Sequence, residues 1–401
     1  MPKGQFGTRL RGGHDHASER YIFTNLDPIT KFIYPDCDNN ILDYRYDDGT
    51  KVEPNFYAPI IPMICVNGGK GIGTGFSCEI PSFNVKHIIN YIKYSLNGQK
   101  GEKPNIALYY QDFLGTIEKI SDVKYILKGK YEIIGTDEIH ITELPVGLWT
   151  ETFKEHLETL MDCKDTKTKK KVQGVVKSYK DMSTDTLVDF KIKFQPGEVS
   201  NLITQKADDY QNKLEKLLKL VTTKSLTNIW LFDNKQQLKK YNSVYDIINT
   251  YMPVRYKLYK KRIEYLIKIL EKEVMILTNK ARFIKEQCDD IIDLRKKKKQ
   301  DVISLLIERK YDMIDDDNEF KYLRNMKIEE VEEENFEKLL NQCEVRINDL
   351  EKLKKETPAN LWKKELEILE KEYDNYIKLR KIRNGTLIKK KFKVSKKKSK
   401  E

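Results

Sequence analysis

Arg20 and Tyr21 stand side by side at the end of a stretch crowded with glycines and cations, Gly4-Gln5-Phe6-Gly7-Thr8-Arg9-Leu10-Arg11-Gly12-Gly13-His14-Asp15-His16-Ala17-Ser18-Glu19. A tyrosine oxygen beside a fixed guanidinium is a candidate nucleophile for phosphorus. A phenol ordinarily ionises near about 10. A neighbouring cation favours its anion, and arginine stays charged and matches phosphate geometry. Glycines let the main chain approach a polyanion, and exposed N–H groups can hold phosphate oxygens. The same residues also read as a basic loop that merely touches an anion, with Tyr21 a core residue of the apolar run Ile22-Phe23-Thr24. Taken alone, the pair favours that plainer reading; the rest of the chain reverses the balance.

A second glycine-rich stretch follows an apolar run over 58–66 that reads as a strand. It reads as a loop with five glycines in the eight residues 68–75. A nucleotide site is rejected there. No Ser or Thr follows Lys70, and the next segment, 76–81, looks extended where a phosphate-binding loop would open a helix. Ile72 is the telling residue: a bulky apolar side chain with glycine on both sides in a polar stretch. It is suited either to plug another domain or to wedge between base pairs.

The elements that must hold these residues are of two kinds. Residues 21–34 read as a short mixture of strand and helix, and Pro35 to Asn40 as turns. Asp48-Gly49 marks a hairpin, and 84–95 an amphipathic helix with Asn84 as its N-cap. From 105 to 195 the pattern is strand-rich, interrupted by a helix over Thr150–Met161 and a basic loop over 164–171. A helix is expected over 210–221 and a strand over 227–233. Past residue 243 the period changes. Ile263, Ile267, Leu270, Val274, Leu277, Ala281, Ile284, Cys288 and Ile291 recur in steps of four and three. A second seam runs through Phe336, Leu340, Cys343, Ile347 and Leu350, and resumes after Thr357-Pro358 at Trp362, Leu366, Leu369, Tyr373 and Tyr376. Two such seams around a mixed segment (301–335) predict an antiparallel coiled coil. The fold class is α+β.

Composition narrows the partner. The 401 residues carry 74 Lys and Arg against 62 Asp and Glu, a net charge of +12, which makes a polyanion the leading partner class. Six scattered cysteines without a Cys-x-x-Cys pair fit buried thiols in a reducing compartment better than a disulfide framework or a zinc site. Five dispersed histidines suggest no metal cluster, and no apolar run is long enough for a membrane span. The chain ends in a lysine-rich tail (383–401), read as disordered and suited to nucleic acid or nuclear import.

Taken together, GQFGTRLRGG…ASERYIFT (4–24), YDDGTKVEPNFYAPIIPM…NGGKGIGTGFSCEIPSFN (46–84), ITELPVGLWT (141–150), NIWLFD (228–233), NKARFI (279–284) and TPANLWKKEL (357–366) resemble the type IIA DNA topoisomerases, in their eukaryotic or large-virus form. The resemblance covers roughly 4–380, in the family's order. It implies that 1–35 is the end of a winged-helix domain, 36–250 a mixed α/β tower, and 251–382 a coiled coil with a small helical exit gate where two subunits meet. It places Tyr21 at the DNA-cleaving tyrosine, Arg20 at the arginine that helps hold the scissile phosphate, and Ile72 at the isoleucine that intercalates and bends the duplex. Arg9, Arg11, His14 and Lys70 are the further candidate DNA contacts. Two positions depart from the pattern: His14 stands where the family usually has Lys, and Glu19 where it has Pro.

Nothing in the chain resembles the family's ATPase domain or its metal-binding TOPRIM domain. The sequence therefore reads as a fragment, a split-gene product or a subunit that needs partners. The expected function is the breakage-reunion portion of an ATP-dependent type II topoisomerase, acting on double-stranded DNA as a homodimer. Mg2+ and ATP would be bound by domains outside the chain, which itself holds neither a metal nor a cofactor site. The expected location is the nucleus or a viral or host DNA compartment. The alternative is a dimeric DNA-binding and DNA-bending protein that cleaves nothing.

Overall fold

The computed structural model describes residues 2–161, 174–289, 291–292, 294, 297–314, 317, 319–326 and 333–383. The basic stretch 164–171, Cys163 and the lysine-rich tail beyond Arg383 lie outside the described residues, as does the side chain of Phe336.

Strand β1 (Pro2–Lys3) pairs antiparallel with β2 (Phe23–Thr24), and one turn of 3-10 helix, Glu19–Tyr21, stands just before β2. Helix α1 (Thr30–Ile33) and a second 3-10 turn, Asp36–Asn40, lead into the hairpin of β3 (Tyr44–Asp47) and β4 (Thr50–Pro54). Its turn is Asp48-Gly49, with φ of 44° and 79°, the positive values that a tight hairpin turn demands.

The next stretch differs from expectation. The apolar run over 58–66 is no strand: Ile60 and Ile61 are buried, and Pro62 introduces a short helix, α2 (Met63–Asn67). An unbroken apolar run carries no period to separate buried strand from buried helix, and proline suits a helix start. The glycine-rich stretch is no open loop either. Strand β5 (Gly69–Gly73) pairs with β6 (Phe76–Ile80), Gly73 opposite Phe76 and Gly69 opposite Ile80. Helix α3 (Val85–Leu96) follows as read, with the Asn84 side chain accepting from the main-chain nitrogens of Lys86 (2.9 Å) and His87 (3.4 Å).

The strand-rich region comprises β7 (Thr116–Ser121), β8 (Lys124–Lys128), β9 (Lys130–Ile133) and β10 (Glu138–Glu143), then α4 (Thr150–Met161), β11 (Val176–Asp181) and β12 (Phe190–Phe194). Helices α5 (Glu198–Thr204) and α6 (Lys213–Leu217) precede β13 (Val221–Ser225) and the hairpin β14 (Ile229–Phe232) with β15 (Leu238–Tyr241). The helix expected over 210–221 shrinks to α6, because Lys219 (φ 53°) turns the chain into β13. The long helix α7 (Val244–Cys288), α8 (Lys299–Glu308), α9 (Lys321–Arg324), α10 (Glu333–Lys355) and α11 (Pro358–Arg383) complete the order. Thr357 caps α11, its hydroxyl accepting from Asn360 N at 3.3 Å.

Two compact units result. The first contains Met1–Ile33, Ile61–Met252 and Leu369–Glu401. Its main core lies between α4 and a four-stranded sheet of order β11-β12-β10-β9, where Phe153 and Phe190 meet edge to face at 5.1 Å among Ile139, Ile141, Leu157 and Ile192. A three-stranded sheet, β13-β8-β7, adjoins in sequence. On α3, Val85, Ile88, Ile89 and Ile92 are buried, and ion pairs Lys93–Glu370 (2.8 Å) and Lys86–Asp374 (2.7 Å) hold it to the end of α11.

The second unit contains Tyr34–Ile60 and Pro253–Ile368. Its centre is ionic. Arg255 and Arg262, both essentially buried, bind Asp38 at 2.6 and 2.7 Å; Arg262 also pairs with Glu365, and Arg255 donates to Ala58 O at 2.9 Å. Tyr259 stacks on Trp362 (5.4 Å), whose Nε1 donates to Ile60 O (2.9 Å). Further along, α7 and α10 run antiparallel, tied by Lys354–Glu271 (2.7 Å) and Arg346–Glu273 (3.4 Å). Around the end of α7, Phe283, Leu306, Tyr311, Phe320 and Leu323 form a separate small core with α8 and α9.

The seams are narrower than their spacing suggested. Ile263, Ala281 and Ile284 are buried, but Cys288 is exposed, and Ile291 lies past the helix end with Ile292 buried in its place. On α10 Cys343 is buried while Leu340 and Ile347 are exposed. The expectation of buried thiols holds for Cys65 and Cys343 and fails for Cys37 and Cys288, which are exposed. Among the described residues no helix is long and apolar enough to cross a membrane.

Candidate nucleophile loop and wedge hairpin

The loop before Tyr21 closes on itself. Asp15 accepts from both the amide (2.8 Å) and the hydroxyl (2.6 Å) of Thr8, Gly13 N donates to Thr8 O (2.9 Å), and Ala17 N donates to Gln5 O (2.9 Å). The Thr8 hydroxyl and amide hold the Asp15 carboxyl below its ordinary pKa. Two glycines are obligatory here. A Cβ on Gly7 would lie 2.5 Å from Gly13 Cα, and one on Gly12 (φ +63°) would lie 2.2 Å from the Trp149 ring.

Strand β10 and helix α4 fasten this loop to the first unit. Glu143 continues the alternation of Ile139 and Ile141, so its side chain points into the core and is fully buried. There its carboxylate pairs with the Arg9 guanidinium and accepts from the amides of Leu114 (3.1 Å) and Leu144 (2.9 Å). Arg11 Nε donates to Glu151 in the first turn of α4 (2.6 Å), Glu151 N donates to Leu10 O (3.0 Å), and Arg9 N donates to Asp185 O (2.9 Å).

The loop delivers its last residues to solvent. Tyr21 is 64% exposed, so it is no core residue, and the Arg20 guanidinium lies 5.1 Å from its ring centroid. Glu19, Arg20 and Tyr21 share one 3-10 turn, with Tyr21 N donating to Ser18 O (2.9 Å). His14 is exposed on the same loop.

Ile72 stands on a separate hairpin, in β5, and is 82% exposed. Lys70, two residues before it, shares its face by strand alternation and is also exposed. The partner strand β6 is braced from behind by β14. Glu79 N donates to Asn228 O (2.9 Å), Cys78 Sγ and the Trp230 main chain bond in both directions, and Phe76 meets Trp230 edge to face at 5.9 Å. Of the residues singled out in the sequence, Arg20 and Tyr21 are brought together. Arg9 and Arg11 are engaged by carboxylates on the body, and Ile72 with Lys70 forms its own projection. Glu143 and Glu151 were not anticipated. The signal for Glu143 was present, a carboxylate at an apolar-phase position of a strand.

A chain with a solvent-facing tyrosine and arginine on an anchored glycine loop, followed by a braced hairpin that projects one isoleucine, belongs to the family of DNA gyrase and topoisomerase IV A subunits, whose sequence profile matches residues 1–367. Among its relatives, DNA topoisomerase 2-alpha of Gallus gallus is 36% identical over 400 residues, covering 93% of this chain and 25% of that protein. DNA topoisomerase 2-beta of Homo sapiens is 33% identical over 408 residues, covering 93% and 24%. The crystal structure of the Plasmodium falciparum topoisomerase II DNA-binding, cleavage and re-ligation domain superposes with a TM-score of 0.78 at 34% identity, over 96% of this chain and 53% of that one. The fold is thus the mixed α/β fold of that domain, and the chain spans about a quarter of the length of the curated relatives it matches.

Proposed function

We propose that this chain is the strand-breaking and rejoining portion of a type II DNA topoisomerase, with Tyr21 as its nucleophile. The observation that carries the reading is Tyr21 itself. It is exposed on a loop pinned at Arg9, Arg11 and Gly12, with Arg20 beside its ring. Tyr21 Oη attacks a backbone phosphorus in line. The new bond joins tyrosine oxygen to phosphorus, and the bond from phosphorus to the deoxyribose 3′ oxygen breaks. The phenol proton leaves to solvent, and the departing 3′ oxygen takes up a proton. The product is a 5′-phosphotyrosyl link, and attack by the 3′ hydroxyl reverses it and reseals the strand. Arg20 stabilises charge on the non-bridging oxygens. Ile72 enters between base pairs and kinks the duplex, with Lys70 and His14 as phosphate contacts. Arg9 and Arg11 hold the loop first, and reach DNA only with the part of each guanidinium that the carboxylates leave free.

In this reading 1–35 ends a winged-helix domain, 36–250 is the tower, and 251–382 forms the coiled coil and exit gate through which two copies join, giving one tyrosine per strand. Among the described residues no group of three or more His, Cys, Asp or Glu is arranged to hold a metal ion. From the family resemblance, Mg2+ and ATP are assigned to a TOPRIM- and ATPase-bearing region or partner chain, and no step here runs through them. The second reading, for the chain acting alone, is a DNA-bending dimer without cleavage, and the exposed Ile72 on its braced hairpin supports it. The proposed location is the nucleus or a viral or host DNA compartment, and the eukaryotic relatives support the first.

The test is covalent trapping. Plasmid, Mg2+ and a TOPRIM-bearing partner are mixed with the chain, and the reaction is stopped with detergent. Protein-linked linear DNA is expected with the natural chain and none with Tyr21→Phe. An adduct that persists in Tyr21→Phe removes the assignment, and binding without any adduct supports the bending reading.

A further inference from the structure

We infer that Trp230 and Cys78 are positioning residues for DNA bending: through them strand β14 holds the Ile72 hairpin in place while the isoleucine is pressed into the duplex. The inference rests on the reading of Ile72 as a wedge and goes beyond it, because neither residue lies on the strand that carries Ile72.

The hairpin by itself is poorly built to carry load. Strand β5 is Gly69-Lys70-Gly71-Ile72-Gly73, exposed at every residue. Its glycines weaken it, because each gives up more freedom on ordering than any other residue and adds no side chain to pack. A two-stranded hairpin is marginal alone, and glycine-rich strands hold their register weakly. Parting base pairs and bending the duplex cost free energy, and an isoleucine on an unsupported strand of this kind would yield first.

The register of the hairpin shows where the support comes from. Lys70, Gly71, Ile72 and Gly73 stand opposite Glu79, Cys78, Ser77 and Phe76. Each of these four partners is tied to the segment 224–230. Glu79 N donates to Asn228 O (2.9 Å), and its carboxylate pairs with Lys224. Cys78 Sγ donates to Trp230 O (3.2 Å) and accepts from Trp230 N (3.4 Å), so the thiol does for this peptide what a neighbouring strand would do. Ser77 Oγ accepts from Asn228 Nδ2 (2.8 Å), and Phe76 meets the Trp230 ring edge to face at 5.9 Å. Ser77 and Cys78 project from opposite faces of β6 and both are held, so the strand cannot roll about its own axis. Strand β14 is rooted in turn. Ile229 and its cross-strand partner Tyr241 are buried, and Leu226 N donates to Val123 O (2.8 Å). Load on Ile72 therefore passes through Ser77 and Cys78 to Asn228 and Trp230, and from there to Ile229 in the core, all within the first unit. Trp230 is the hub of this path, meeting Phe76 with its ring and Cys78 with both polar groups of its main chain.

Energy transfer across an end-labelled duplex tests it, with enough of the full chain added that every duplex is bound. Trp230→Ala removes the ring from Phe76, and Cys78→Ala removes the thiol from the Trp230 main chain. Each is expected to lower the bend of the bound duplex toward that seen with Ile72→Ala, and the two together to reach it. Trp230→Phe keeps a ring edge and Cys78→Ser keeps a donor and an acceptor, so both should restore the bend. A packing role alone would lower Tm and the amount of chain able to bind, but not the angle of a duplex that is bound. Cys78→Ala changes a single half-buried thiol, and it decides the question should Trp230→Ala fail to fold. If Ile72→Ala straightens the duplex while Cys78→Ala and the folded Trp230→Ala bend it as the natural chain does, this inference falls and the wedge stands. If the natural chain leaves the duplex straight, or Ile72→Ala bends it fully, the wedge reading falls and takes the brace with it.

Discussion

Removing either partner of the Arg9–Glu143 pair should release the cleavage loop, and the two losses should not add. The Glu143 side chain is 1% exposed and Arg9 27%, so the carboxylate is committed to the interior while the guanidinium can partly turn to water. Glu143→Ala strands the amides of Leu114 and Leu144, at about 1–3 kcal/mol for each buried donor, and so costs about 2–6 kcal/mol in all. Arg9→Ala leaves a buried carboxylate with only those two amides. Breaking a buried pair costs about 3–5 kcal/mol, and the partial exposure of Arg9 lowers the expectation to about 2–3 kcal/mol. Because both changes delete one charged hydrogen bond, the double variant should fall short of the sum by about 1.5–3 kcal/mol. Hydrogen exchange over 4–18 and 139–157 in a mild urea series gives the free energies. Losses that add to within about 0.5 kcal/mol refute the idea that this pair fastens the loop.

Gly12→Ala places a methyl carbon into the Trp149 ring at a residue with φ +63°, and should cost about 2–5 kcal/mol from left-handed strain and overpacking together, read as a lowered Tm and faster exchange over 4–18. Acid should loosen the same loop. The folded pKa of Asp15 is depressed, so its stabilisation is fully present above the unfolded value of about 3.9 and is lost as pH falls through the folded one; Asp15→Asn should abolish that acid dependence of loop exchange. Ile72→Ala alters a side chain that is 82% exposed, so stability should stay within about 0.5 kcal/mol while duplex bending, measured by energy transfer between end labels, falls; unchanged bending would remove the wedge role.

Local signals were legible where they are local. Asn84 and the spacing of Ile88, Ile89 and Ile92 place α3, and Asp48-Gly49 places a hairpin, because cap and turn chemistry need only neighbours. The exposed Arg20-Tyr21 pair and the isolated Ile72 were visible for the same reason. What holds them was not. Arg9 is 134 residues from Glu143, and no periodicity connects them. Strands β11, β13 and β15 went unread because each is mostly polar, and its place is set by partners: β12 for β11, β8 for β13 and β14 for β15. The seams mark the long helices correctly, yet spacing alone could not say that Leu340 and Ile347 would stay exposed.

The ionic centre of the second unit sets an order on synthesis. Its parts come from Asp38, Ala58 and Ile60, then Arg255 to Arg262, and last Trp362 and Glu365. Two arginines brought inward before Glu365 exists would meet only Asp38, too little acid for two cations. A nascent chain stopped anywhere between about residue 270 and 360 would therefore hold the long helix without its closing contacts, and sequence-distant closure of this kind is slow. The second unit becomes complete only when the ribosome has released the stretch around Trp362. The sheet core of the first unit, whose buried residues run from Ile139 to Leu220, can form while α7 is still being made.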